Sequence, residues 1–157
     1  MSAVSIETDS NICKFTLHGV PDRPGMAAEV FGRLGIAGVC VHMMAAAGAE
    51  AGRTDISLTV AGRDGTKVSA VLKEIAQEMQ AGPVGRRDDV VAVSLVADEL
   101  DHQPGVAGRM FRTLSAQGIN IDMISATNTA VTCLVDARFL KNATEALEKD
   151  FKAETVP

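Results

Sequence analysis

The 157-residue chain is 46% hydrophobic and 22% charged, contains five Phe but no Trp or Tyr, and has a formal net charge of −5. This excludes a chain held unfolded by low hydrophobicity. The lack of a basic cluster (Arg86-Arg87 is followed at once by Asp88-Asp89) and of stacking aromatics argues against nucleic acid as a partner. No apolar run approaches the roughly 18 residues of a membrane span, no basic-then-apolar pattern opens the chain, and Cys13, Cys40 and Cys133 read as scattered reduced thiols, so the expectation is a cytoplasmic protein with no membrane partner.

Ala3 to Glu7 alternates like a strand with no partner near it in sequence. Ile12 to Val20 alternates again, and Pro21-Asp22-Arg23-Pro24-Gly25 turns the chain. A helix is expected from Pro24 to about Ala37, since Pro suits a first helical position and Met26, Ala27, Val30, Phe31 and Leu34 share one stripe; Gly38 stops it. Val39 to about Ala46 and Thr54 to Val60 read as a hairpin around a Gly48–Gly52 loop. Val68, Val71, Leu72, Ile75 and Met79 mark a second helix from Thr66 to Met79, and Pro83 to Arg87 a short strand. The pattern then restarts. A strand at Val90–Ala97 precedes a helix at Pro104–Gln117, a hairpin of Ile119–Ala126 with Ala130–Asp136, and a helix at Phe139–Phe151. Lys152 to Pro157 looks too short for a closing strand, and Pro157 has no backbone donor.

The restart is a repeat. Pro24-Gly25-Met26-Ala27 is answered eighty residues on by Pro104-Gly105-Val106-Ala107, Phe31 by Phe111, Leu34 by Leu114, Gly38 by Gly118, and Met43 by Met123. From there the offset falls to 75, which places about five fewer residues in the second hairpin loop. Two copies of a strand-helix-strand-strand-helix-strand unit follow. The first spans residues 11–87, and the second joins residues 3–7 to 88–157, with the N-terminal strand supplying a missing edge strand. A unit near 80 residues buries only roughly 60% of its unfolded surface, so association with a twin or a second chain is expected.

The turn kept in both copies carries the candidate chemistry. A helix start leaves amides unpaired and adds partial positive charge, so the amides of Gly25, Met26 and Ala27 suit an α-carboxylate. Asp22 is placed for an ammonium, with Arg23 beside it. The second copy offers Gly105, Val106 and Ala107 with His102 and Gln103, and Asn120-Ile121-Asp122 follows, its two polar side chains on one face of a strand. Cys40 and His42 hold the equivalent places in the first copy; two ligands do not make a metal site, and no cofactor is expected.

Gly19-Val20-Pro21-Asp22-Arg23-Pro24-Gly25-Met26-Ala27, Thr54-Asp55-Ile56-Ser57-Leu58-Thr59-Val60, His102-Gln103-Pro104-Gly105-Val106-Ala107 and Gly118-Ile119-Asn120-Ile121-Asp122-Met123-Ile124-Ser125 together resemble the tandem ACT domains of the aspartate kinase regulatory region, over essentially the whole chain. The resemblance implies an α+β fold of two ferredoxin-like βαββαβ units in tandem, each a two-layer sandwich with an antiparallel sheet. It implies homodimers whose units share sheets, threonine or lysine bound as effector at the interface, and a kinase catalytic domain or subunit as the partner that receives the signal. The first copy departs from the family's Asn-x-Asp at Cys40 and His42, and Ala45-Ala46-Ala47 replaces a stretch that often carries polar side chains. That favours threonine slightly over lysine, and keeps open an assembly module that binds no effector. An acylphosphatase-like enzyme lacks its Arg and Asn pair here, and no phosphate loop or magnesium carboxylate set for kinase chemistry is visible.

Overall fold

In the computed structural model, which describes residues 3–48 and 50–156, the chain forms two compact α+β units. Asn11–Asp88 make up one; the remaining described residues make up the other. Ala49 of the expected first hairpin loop and Pro157 lie outside the described residues.

The first unit runs β2 (Ile12–Pro21), α1 (Met26–Ile36), β3 (Val41–Gly48), β4 (Arg53–Ala61), α2 (Gly65–Glu78) and β5 (Val84–Arg87), after β1 (Ser5–Asp9), which belongs to the other unit. Its sheet has the order β3-β4-β2-β5, with antiparallel pairing throughout. Period-2 alternation sends Cys13, Phe15 and Leu17 of β2 to one face, where they meet the helical stripes Met26, Val30, Leu34 and Val68, Leu72, Ile75. Full burial of each of these side chains contributes about 1.5–3 kcal/mol.

The second unit runs β6 (Val90–Val96), α3 (Val106–Ala116), β7 (Met123–Ala126), β8 (Ala130–Asp136), α4 (Leu140–Phe151) and β9 (Glu154–Val156). Its sheet order is β7-β8-β6-β1-β9. Val91, Val93 and Leu95 of β6 pack with Met110, Leu114, Ala143 and Leu147, and Ile6 of β1 is fully buried among them.

Four expectations are corrected. The N-terminal strand is interior rather than an edge: β1 pairs antiparallel with β6, and β9 adds in parallel on its far side. Three residues thus suffice for the last strand, because Lys152 in the left-handed conformation (φ 51°) reverses the chain directly after α4. The second hairpin is shortened mainly in its strands, four and seven residues against eight and nine, while the connections, 127–129 and 49–52, differ by one residue. The helices start at Met26 and Val106, after Gly25 and Gly105, and not at the prolines. In each copy the amide after the glycine donates to the carbonyl before the proline (Met26 to Arg23, 3.3 Å; Val106 to Gln103, 3.5 Å), and the glycines sit at φ 91° and 89°. Pro-Gly is here the centre of a type II turn, whose third residue requires positive φ.

Candidate functional site

The first turn is anchored by the strand that enters it. β2 bulges between Leu17 and Val20, with Gly19 at φ 65°. The freed Gly19 amide donates to Asp55 Oδ1 (2.8 Å), His18 Nδ1 lies 3.3 Å from Asp55 Oδ2, and Arg53 Nη1 donates to the Gly19 carbonyl (2.6 Å). The Gly19 amide, and then His18, hold the Asp55 carboxyl below its ordinary range. Beyond the bulge the Asp22 amide donates to the Gly52 carbonyl (2.9 Å), tying the turn to the β3–β4 connection.

Around this turn Asp22, Arg23, Gly25 and Ala27 are exposed and Met26 is buried. Arg23, Gly25 and Met26 line a cavity of about 330 Å³ with Glu29, Arg33, Glu78 and Met79. Its central Arg33 is engaged on both sides, donating to Glu29 (2.8 Å) and Glu78 (2.5 Å). Asp22, Ala27, Cys40 and His42 do not line that cavity; Cys40, just before β3, and His42, within it, are exposed.

The second turn opens on a cavity of about 470 Å³ lined by Leu100, Asp101, Gln103, Gly105, Val106, Ala107, Ala126, Thr127, Asn128 and Val131. Four of the sequence candidates, Gln103, Gly105, Val106 and Ala107, therefore meet there. A 3-10 turn at Leu100–His102 forms one wall, pinned by the Leu100 amide to the Asn128 carbonyl (2.8 Å). The β7–β8 connection forms another and is rigidified by Thr127 Oγ1, which accepts from the Ala130 amide (3.0 Å). His102 lies instead in a neighbouring polar cavity with Asp98, Glu99, Asp101, Asn128 and Thr129. Asn120, Ile121 and Asp122 precede β7 rather than lying within it, and line neither cavity; Ile121 packs on the core, while Asn120 and Asp122 are exposed. Asp101, Asn128, Leu100 and Val131 are additions that sequence reasoning missed: they come from irregular segments and a hairpin end with no periodicity to flag them. Among the described residues no group of three metal-ligating side chains occurs, and no helix is long and apolar enough to cross a membrane.

Two ferredoxin-like units in one chain, each opening its first helix on a left-handed glycine, define a tandem ACT protein. An ACT-domain family model matches residues 93–151. An aspartate kinase of Stutzerimonas stutzeri is 33% identical over 154 residues, covering 98% of this chain but 37% of its own length. One chain in the crystal structure of aspartokinase alpha and beta subunits is 34% identical with a TM-score of 0.87, covering 94% of this chain and 97% of that one. The ligand-free regulatory subunit of aspartate kinase from Thermus thermophilus is 26% identical with a TM-score of 0.87, covering 92% and 95%. The chain belongs to the aspartate kinase family, as its tandem ACT regulatory region. It spans little more than a third of the length of the curated kinases it matches.

Proposed function

We propose that this chain is an allosteric module that binds threonine or lysine and transmits occupancy to an aspartate kinase catalytic domain or subunit, in the cytoplasm. The observation that carries this is the second turn: a helix start with unfilled amides opening on a cavity of amino-acid size that also presents a carboxylate, Asp101. The first turn repeats the backbone with Asp22 beside it. Such a module responds only if the effector binds one conformation better than another.

Assembly as a homodimer is part of the proposal. β3 is a sheet edge of eight residues, Met44 to Gly48 are exposed on it, and no charged residue interrupts 39–48. An uncharged edge strand invites pairing with a second copy. A second proposal, assembly without effector binding, draws on Cys40, His42 and Ala45-Ala46-Ala47, which leave the first turn without the amide and acid of the family pattern. Calorimetric titration with threonine, lysine and both together separates the two. Saturable heat supports sensing, and its loss in Asp22→Ala assigns the first turn. A folded dimer that gives no heat with either amino acid supports assembly alone.

A further inference from the structure

We propose that β1 and β9 are alternative occupants of one position beside β6, so that the second unit can exchange its N-terminal strand for its C-terminal one.

The two repeats show both fillings of the same slot. In the first unit the last strand, β5, pairs antiparallel with β2, and Leu17 of β2 lies opposite Val84. Leu95 of β6 is the repeat counterpart of Leu17: Leu17 pairs with Ile56 of β4 and Leu95 with Val131 of β8, which stand at the same place in the two copies. Opposite Leu95 stands Ile6 of β1, and β9 lies on the outer side of β1. β1 therefore fills in the second unit the place that the first unit gives to its own last strand.

Direction and register allow the exchange. β1 runs antiparallel to β6 and β9 runs parallel to β1, so β9 already has the orientation the slot demands. Ile6 is in register with Thr155, and paired residues of neighbouring strands point to the same face. Moving β9 across by one strand spacing, about 4.8 Å, puts Thr155 opposite Leu95 with no reversal and no slip. α4 packs on β6, β1 and β9 alike, so the slot is within the footprint of the helix that leads into β9. Lys152 and Ala153 alone connect the two, and two extended residues reach roughly 7 Å. The end of α4 is a fixed pivot: Arg109 Nε donates to Asp150 Oδ2 (2.9 Å), its guanidinium also donates to the Asp150 carbonyl, and it lies 4.4 Å from the centre of the Phe151 ring.

The core decides which strand holds the slot. Ile6 is fully buried, whereas Thr155 is half-buried and donates through Oγ1 to Glu148 Oε1. Burying an isoleucine outweighs burying a threonine whose hydroxyl loses its partner. The exchanged unit would have the order β7-β8-β6-β9, which is the arrangement β3-β4-β2-β5 of the first unit. β1 would leave the sheet, and only Ser10 and Asn11 separate it from β2, so the exchange frees a segment that joins one unit to the other in sequence. A protein with two such arrangements close in energy responds to whatever favours one of them.

The test is NMR-detected amide hydrogen exchange on the full chain, with NOEs between residues 155 and 95 read in the same samples. In the parent chain β1 is expected to be protected and the NOE absent. Ile6→Thr combined with Thr155→Ile reverses the apolar preference. It is expected to speed β1 exchange at least tenfold, leave β6 protected and bring in the NOE. Thr155→Ile alone leaves the core intact and improves the replacing strand. It is expected to speed β1 exchange at least threefold with thermal unfolding unchanged or raised. Loss of β6 protection along with that of β1 in the double variant means an empty slot and overturns the exchange. So does a β1 that keeps its protection in both variants, and so does fast β1 exchange without the NOE in the double variant.

Discussion

Gly25 and Gly35 lie at the two ends of one helical segment and should respond to alanine with opposite signs. Gly25 sits at φ 91° and ψ −8°, a conformation that costs an L-residue about 1–2 kcal/mol. A Cβ built there meets nothing within 4 Å, so the cost is wholly local. Alanine also lowers the entropy of the unfolded chain, which offsets about 0.4–1 kcal/mol. The net expectation for Gly25→Ala is a loss of about 1 kcal/mol, or roughly 4–8 °C for a unit of this size. Gly35 is inside α1 without positive φ, and a Cβ there also meets nothing within 4 Å, so Gly35→Ala should gain about 0.5–1 kcal/mol. Urea unfolding of both variants measures the difference, with unchanged m-values expected because the buried surface is the same. D-Alanine at position 25, introduced by semisynthesis, removes the strain and should be at least as stable as glycine. Gly25→Ala equal to or more stable than the parent chain would refute the type II turn and the helix start built on it.

Ile6→Ala should cost about 2–5 kcal/mol in urea unfolding, since Ile6 is fully buried in the second unit's core although it lies far from that unit in sequence. Asp150 receives hydrogen bonds from Arg109 Nε (2.9 Å) and Thr113 Oγ1 (2.8 Å), which hold its carboxyl below the ordinary range. A depressed folded pKa gives stability that is complete above the unfolded value of about 3.9 and lost as pH falls through the folded one, so Asp150→Asn should flatten the acid limb of a pH–stability curve. Arg109 and Asp150 are 41% and 34% exposed, which keeps that contribution below ~1 kcal/mol. Burial pushes the Cys133 thiol up to about 12 and also raises Cys13, whereas Cys40 is exposed. Iodoacetamide near pH 8 should therefore label Cys40 alone in the folded chain and all three thiols in urea, with mass spectrometry reading the count.

What the sequence disclosed follows from which interactions leave a periodic trace. The buried stripes of α1 and α3 and the alternation of β2 and β6 were legible because one face of each packs on the core. β9 was not, since three residues have no period and their partner is β1 at the other end of the chain. The helix starts were misplaced by two residues because Pro-Gly serves equally as a helix opening and as a type II turn; only the φ of the glycine separates them. Gln103, Gly105, Val106 and Ala107 were found through the repeat, but Asp101 and Asn128 reach the same cavity from irregular segments joined by long-range bonds, Leu100 to Asn128 and Ala97 to Thr129, that leave no periodic trace.

The repeat also sharpens what a shared backbone means. The two turns match in glycine φ, 91° and 89°, and in the bond that closes each of them. Their surroundings differ in kind. The first is entered through a bulge clamped by Asp55 and Arg53, and the cavity beside it is filled with the charges of Arg33, Glu29 and Glu78, already paired with one another. The second is entered through a 3-10 turn and opens on an apolar floor with a single carboxylate. The glycine-opened helix start is common to both; the side chains packed around it are not. Mutually satisfied charges offer a ligand little, because binding must first break their pairing. On these grounds the two turns are equivalent in backbone and not in the side chains that surround it.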